Sequence, residues 1–492
     1  MTATANYLAF DLGASGGRAM LGVFDGERVS LEEIRRFPNG PAAIGGSLYW
    51  NAFALFDEIK AGIAHCGARG IKLDGIGIDT WGVDFALLAR KGELLEMPRH
   101  YRDPRTAGQM ERAFERVPRE QIYAATGIQF MPLNTLYQLL AIAGSPACLL
   151  DVADRLLFMP DLFAYWLTGV AKSERSVAST SQMMNARSGR WDVALLEKVG
   201  LPARILPPIQ ETGTVGGALL RGVSDEVGQA GTPVIYTASH DTAGAVAAVP
   251  ATGRNWAYIS SGTWSLVGVE LPSPLINADA LAANFTNEAG VAGTVRFLRN
   301  ATGLWLVQEC RRTWAAQGRP YSHEQLAHLA GDAPPLRSFV NPDDLRFVEP
   351  GDIPARIRMA CQHTGQPVPE SPGEVIRCAL ESLALKYRSV LETLEGLIGR
   401  RIEVIHLVGG GVRNELLNQF AANATGRPVI AGPAEAAAAG NIMVQAMAQG
   451  CVRSVEELRQ VVAASSEMRS YEPQQVEQWL TAFERFDSLL HE

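Results

Sequence analysis

Asp11 closes an apolar run, Tyr7 to Phe10, and a turn holding Gly13, Ser15, Gly16 and Gly17 follows before a second apolar run, Ala19 to Phe24. Glycines let a backbone bend sharply and approach a ligand closely, so successive N–H groups can face phosphate oxygens, with Ser15 and Arg18 as further donors. Asp11, at the lip of the strand, is placed to hold a hydrated divalent ion. The pattern returns at Trp256 to Val269, where a strand enters Ser260-Ser-Gly-Thr263 and leaves as another strand. Either hairpin alone reads equally well as an ordinary Gly-rich turn. Two of them, half a chain apart, favour a grip on a phosphate chain.

A second set of residues suits a polyhydroxylated ligand. In Ile76 to Phe85 a buried strand breaks into a loop with Asp79, Trp81, Gly82 and Asp84. A ring there can stack on the C–H face of a sugar while carboxylates accept from its hydroxyls. A core Trp81 and a loop-capping Asp79 fit the spacing as well. Pro233 to Ala248 delivers His240 and Asp241 at the end of a strand, just before a helix of small residues. Asp241 is a candidate general base and His240 a hydroxyl partner, although an Asp at that place can also be a plain N-cap. Late in the chain, Ile402 to Val408 runs into Gly409, Gly410 and Gly411 and then a helix opening near Asn414. That is a flat backbone surface for a purine ring or a phosphate.

The elements that must position these residues alternate strand and helix. Val29 to Phe37 reads as a third strand, and Trp50 to Ala68 as a helix burying Trp50, Phe53, Phe56, Ile59 and Ile63. Glu374 to Ile398 is a long amphipathic helix, residues 323–349 read as irregular, and 435–449 as an Ala-rich helix packed on the strand at 427–431. Residues 170–209 offer no periodic pattern. The order implies an α/β protein with ligands outside the carboxyl ends of its strands, cut into two lobes at 1–247 and 248–492.

Composition excludes several classes. With 44 Lys+Arg against 52 Asp+Glu, net −8 and no basic runs, neither nucleic acid nor an anionic membrane is the expected partner. The six Cys and scattered His lack zinc-ligand spacing. Most of the six read as reduced core residues; Cys361 and Cys378, which flank a Pro-containing segment, could pair, but a chain read as lacking an export signal favours free thiols. No export signal or spanning segment is read, so a cytoplasmic protein is expected. The P-loop and protein-kinase motifs are missing, so the phosphate grip is of the hairpin type.

A strand–DLGxSxxR–strand hairpin repeated as SSGT, with a central Asp and a late GGG, resembles the FGGY carbohydrate kinases of the actin/hexokinase (ribonuclease H-like) fold over nearly the whole chain. The resemblance implies duplicated α/β domains about a central cleft and ATP-dependent phosphorylation of L-rhamnulose at its 1-hydroxyl. It further implies Asp241 as proton acceptor, Gly82, His240 and Asn300 as sugar contacts, and Ala14 to Arg18, Thr263, Gln308 and Gly409 to Gly411 as ATP contacts, with Mg²⁺ near Asp11. Gly17 departs from the family, which more often carries Ser there. Another ketose, such as L-fuculose or xylulose, and a non-catalytic sugar- or nucleotide-sensing module stay open as alternatives. A monomer or small homo-oligomer is expected.

Overall fold

The computed structural model describes residues 4–490, and they divide into two compact units. The first comprises the described residues up to 250, 270–297 and 436–465, and the second 251–269, 298–435 and the described residues from 466 onward. The cut expected at 247/248 lies beside the first crossing, and two later segments return to the first unit.

The first unit holds a sheet with strand order Thr214–Ala218, Pro233–Tyr236, Gly75–Thr80, Ala5–Gly13, Gly16–Phe24, Val29–Pro38. Gly13 pairs with Gly16, so the first hairpin turns on Ala14 and Ser15 alone. Gly75–Thr80 lies parallel to Ala5–Gly13, and Pro233–Tyr236 parallel to Gly75–Thr80, so three parallel strands end side by side. One face of the sheet buries Leu8, Phe10, Leu12, Ile76 and Ile78 against Trp50, Leu55, Ile59, Ile63, Leu162 and Phe163. Helix Ala52–Ala68 meets it through Leu55, Ile59, Gly62, Ile63 and Cys66. Phe53, expected on that face, is instead 55 % exposed and stacks on Trp166, 5.7 Å between ring centroids. The buried stripe follows the small residues that let the helix approach the sheet, not the largest rings.

The opposite face is covered by helix Ala436–Ala448, which the sequence reading assigns to the strand at 427–431. A Cβ on Gly77 would stand 2.2 Å from Asn441 Oδ1, and one on Gly440 only 1.9 Å from the carbonyl oxygen of Gly244. Glycine at these positions is what lets the helix lie on the sheet and on helix Asp241–Ala247.

The second unit repeats the plan. Strand Trp256–Ser261 pairs antiparallel with Trp264–Leu271 and parallel with Val404–Val408, followed outward by Val429–Ala431 and Arg469–Tyr471. Helix Pro372–Ile398, opened by a Ser371/Glu374 capping box, buries Val375, Ala379, Leu383, Tyr387, Val390 and Leu394 as expected. Residues 323–332, expected to be irregular, form a helix because Ser322 and Gln325 close a second capping box. All six Cys are unbonded; Cys361 and Cys378 share a hydrogen bond, which pushes the Cys361 thiol down and the Cys378 thiol up.

Candidate active site

Strand register builds the acidic centre of the first unit. Asp11 is opposite Arg18 on one side and beside Asp79 on the other. Cross-strand neighbours of opposite charge meet, and Arg18 Nη2 lies 2.5 Å from Asp11 Oδ2. The guanidinium expected to face phosphate is thus held on the carboxylate expected to face the cation. Asp79 is fully buried, accepts from Asn441 Nδ2 at 2.5 Å through Oδ2, and leaves Oδ1 without a partner. Burial first, then the Asp11 and Asp241 charges, push its carboxyl well above the usual range.

The third parallel strand supplies His240 and Asp241. The Thr80 N–H donates to the Ser239 carbonyl at 2.9 Å, so the turn after Pro233–Tyr236 is stitched to the end of Gly75–Thr80. His240, not Asp241, is the capping residue of helix Asp241–Ala247, and its side chain makes no capping bond. Asp241 is the first helical residue. Its Oδ1 accepts from the Thr242 N–H at 2.6 Å and the Thr242 hydroxyl at 3.1 Å. Oδ2 has no hydrogen bond among the described residues. The carboxylate is oriented through one oxygen while the other is open for a proton.

Residues 170–209, silent in sequence, brace this turn. Glu174 is fully buried and accepts from the Ser176 hydroxyl at 2.5 Å, the Ser176 and Val177 N–H groups at 2.9 and 3.1 Å, and the Ser239 N–H at 3.3 Å. The Ser176 oxygen in turn accepts the His240 N–H at 3.1 Å. Burial raises the Glu174 carboxyl. An acid followed two residues later by Ser was the only local signal, and it is a weak one.

Gly82 lies in a tight turn after Gly75–Thr80. The Asp84 N–H donates to the Gly82 carbonyl at 2.9 Å, and Val83 has φ +66°, a left-handed conformation that a β-branched residue rarely adopts. Thr180 Oγ1 accepts the Val83 N–H at 3.1 Å and Thr135 Oγ1 donates to the Val83 carbonyl at 2.6 Å, so the strained peptide is pinned at both ends. Asp84, proposed from sequence to face a sugar, is fully buried. It accepts from Trp50 Nε1 at 2.6 Å, Trp81 Nε1 at 3.0 Å, the Tyr101 N–H at 3.1 Å and Gln138 Nε2 at 2.9 Å. Its chemistry is to hold two indoles, whose ring centroids are 4.0 Å apart.

In the second unit the hairpin turn is docked by the chain that follows Asn300. The Gly303 and Leu304 N–H groups donate to the carbonyls of Thr263 and Gly262 at 3.1 and 2.8 Å. Helix Trp305–Ala316 starts there and brings Gln308 Oε1 within 3.2 Å of the Thr263 hydroxyl. Asn300 lies half-buried on strand Val295–Thr302, whose end is held by Asp343: its Oδ1 accepts the Thr302 N–H at 2.8 Å and its Oδ2 lies 2.9 Å from Lys386 Nζ. Ser260 pairs with Val408, so the triple glycine begins beside Ser261. A Cβ on Gly411 would stand 2.0 Å from Ser261 Oγ, whereas one on Gly410 would meet nothing. Thr263, Gln308 and Gly409 to Gly411 are thereby gathered at one end of one sheet, as Ala14 to Arg18, Gly82, His240 and Asp241 are in the first unit. A Cβ on Gly17 would stand 2.2 Å from the buried Phe37 ring, which explains glycine at that position in this chain.

Each of the two units carries a glycine hairpin at the end of its sheet. The N-terminal domain model of the FGGY family of carbohydrate kinases matches residues 6–247 and the C-terminal domain model residues 257–449. The chain belongs to that family, which uses ATP. It is 47% identical over 481 residues, 98% of each chain, to a rhamnulokinase of Bacteroides thetaiotaomicron. Its fold matches a gluconate kinase from Lactobacillus acidophilus (TM-score 0.81, 16% identity, 99% of this chain and 98% of that one). A Plasmodium falciparum glycerol kinase with ADP matches with TM-score 0.78, 12% identity and the same coverage. Among the described residues no helix is long and apolar enough to cross a membrane, and no three His, Cys, Asp or Glu side chains form a metal site.

Proposed function

We propose that this chain transfers the γ-phosphoryl group of ATP to the 1-hydroxyl of L-rhamnulose, giving L-rhamnulose 1-phosphate and ADP in L-rhamnose breakdown in the cytoplasm. The observation that carries this reading is 47% identity to a rhamnulokinase sustained over 98% of both chains. The geometry agrees with it. Asp241, anchored through Oδ1 by Thr242, accepts the hydroxyl proton on Oδ2 as the sugar oxygen attacks phosphorus. Gly82, His240 and Asn300 are the residues assigned to the ketose. Ala14 to Gly17 and Thr263 present hairpin donors to phosphate oxygens, and Gln308 and the glycines at 409–411 hold the rest of the nucleotide. Phosphoryl transfer through a loose transition state is catalysed mainly by such alignment and charge placement.

Mg²⁺ fits the donors present. Asp11 and the partnerless oxygen of Asp79 suit a hard cation that keeps most of its waters and needs only one or two carboxylates besides the phosphates. When bound, the ion supplies charge neutralisation on phosphate oxygens. Arg18, now on Asp11, is the residue that changes partner as nucleotide and ion arrive. The assembly is taken as a monomer or small homo-oligomer.

The test is coupled ADP release from ATP–Mg²⁺ across L-rhamnulose, L-fuculose, L-xylulose, D-xylulose and D-ribulose. A clear kcat/KM preference for L-rhamnulose is expected, whereas a preference for another ketose overturns the substrate and leaves the kinase. Asp241→Asn is expected to lower kcat by about 10²–10⁴, and near-normal turnover would remove Asp241 as the base.

A further inference from the structure

The imidazole of His240 is held by residues that have no role in the reading above. Strand Thr286–Ala289 carries Glu288, and Val295–Thr302 carries Arg296. Arg296 is fully buried, and Glu288 is 4 % exposed. Arg296 Nη1 lies 3.0 Å from Glu288 Oε2, and Arg296 Nε donates to the Ala289 carbonyl at 3.1 Å. Its remaining nitrogen, Nη2, lies 3.1 Å from His240 Nδ1. The other charged neighbours of the ring are Glu288, 3.4 Å from Nδ1, and Asp241, 3.5 Å from Nε2.

A guanidinium has five donors and no acceptor. Nδ1 faces a donor, Arg296 Nη2, at 3.1 Å and an acceptor, Glu288 Oε2, farther off at 3.4 Å; with its lone pair on the nearer donor, the ring proton resides on Nε2, the nitrogen on the Asp241 side. We infer that Arg296 is a positioning residue for the sugar site: it fixes His240 as the Nε2–H tautomer, so that the ring presents a hydrogen-bond donor to a ketose hydroxyl oxygen beside the base. This rests on the reading of His240 as a ketose contact. Glu288 neutralises the buried guanidinium and leaves Nη2 aimed at the ring. With the His240 N–H held by Ser176, backbone and ring are both fixed before substrate arrives, the supporting arrangement a precise site requires.

The full-length protein carrying isotope-labelled histidine tests this by long-range imidazole spectra at mildly alkaline pH, with the His240 signals identified as those lost in His240→Asn. A protonated Nε2 and a bare Nδ1 are expected. A proton on Nδ1 overturns the inference. Arg296→Met alone would strand a buried Glu288, so kinetics use Arg296→Met combined with Glu288→Gln, and Arg296→Lys as the conservative change, each checked for folding by near-UV circular dichroism. The double variant is expected to raise the ketose KM roughly five- to tenfold, the effect of losing one oriented hydrogen bond, with the ATP KM unchanged and Lys recovering part of the loss. A folded double variant with unaltered ketose KM overturns the inference. If His240→Asn leaves the ketose KM unaltered, the contact assigned to His240 fails, and the wild-type tautomer still decides whether Arg296 sets the ring.

Discussion

Asp84 shows how a residue that looks chemical in sequence becomes structural in the fold. Its carboxylate is fully buried and both oxygens accept from protein donors, yet burial outweighs those bonds and pushes its carboxyl up to about 6. Between its ordinary value near 3.8 and about 6, the folded state binds a proton that the unfolded state does not. Stability from this group therefore falls as pH rises through that window and is greatest on its acid side. Thermal melts of wild type and Asp84→Asn should diverge accordingly, the wild type gaining relative to the variant as pH is lowered from neutrality towards the acid edge of the window. A pH-independent difference would show that Asp84 does not titrate there. From sequence, Asp79 and Asp84 read alike, as acceptors for a sugar's hydroxyls, and Asp241 as a candidate base. Their roles separate through burial and partners: Asp84 grips Trp50 and Trp81, Asp79 keeps one oxygen bare, and Asp241 keeps one oxygen open beside a half-exposed surface.

At the level of elements, what could be read from sequence was local. Both hairpins, helix Pro372–Ile398 and the strand–triple-glycine turn carry their cause within a few residues: glycine where the chain reverses, a capping box where a helix opens, apolar spacing along one face. One local signal was passed over, the Ser322/Gln325 capping box that opens the helix at 323–332; the rest of what escaped depends on partners far along the chain. Asn441 reaches Asp79 across 362 residues, and Glu174 reaches Ser239 across 65, so no window of sequence contains both members. The same holds for helix Ala436–Ala448, whose composition shows a tightly packed helix but not what it packs against. Its contact with helix Asp241–Ala247 is made backbone to backbone at Gly440 and Gly244. Gly440→Ala must push the two helices apart, because the added carbon meets main chain that cannot rotate away. A loss of about 1–3 kcal/mol is expected from denaturant melts, the usual cost of overpacking. A fall in kcat should accompany it, since the displaced helix carries Asp241 at its first position. Wild-type stability and turnover in Gly440→Ala would show that the two helices are not locked at this point.

Over the whole chain, each sheet with its hairpin is one copy of a duplicated plan, and the duplication was legible because the two glycine turns repeat at half-chain spacing. The return of residues 270–297 and 436–465 to the first unit was not, because strand and helix order says nothing about which sheet a later helix covers. A fragment ending at residue 247 contains every strand of the first sheet. It lacks Asn441, which donates to fully buried Asp79, and Gln445, whose Nε2 donates to the Leu8 carbonyl at 3.2 Å. It also lacks Glu288 and Arg296 beside His240. One sheet face that holds Tyr7, Gly75 and Gly77 would lose its cover, and a bare apolar face with an unpartnered carboxylate below it is a poor folding unit. Fragment 1–247 is therefore expected to give weak near-UV circular dichroism and a broad, uncooperative melt. Supplying residues 270–297 and 436–465 through linkers should restore a sharp transition. A sharp transition from 1–247 alone would mean that the first sheet is stable without its returning segments, and the two-lobe cut read from sequence would then describe independently folding domains.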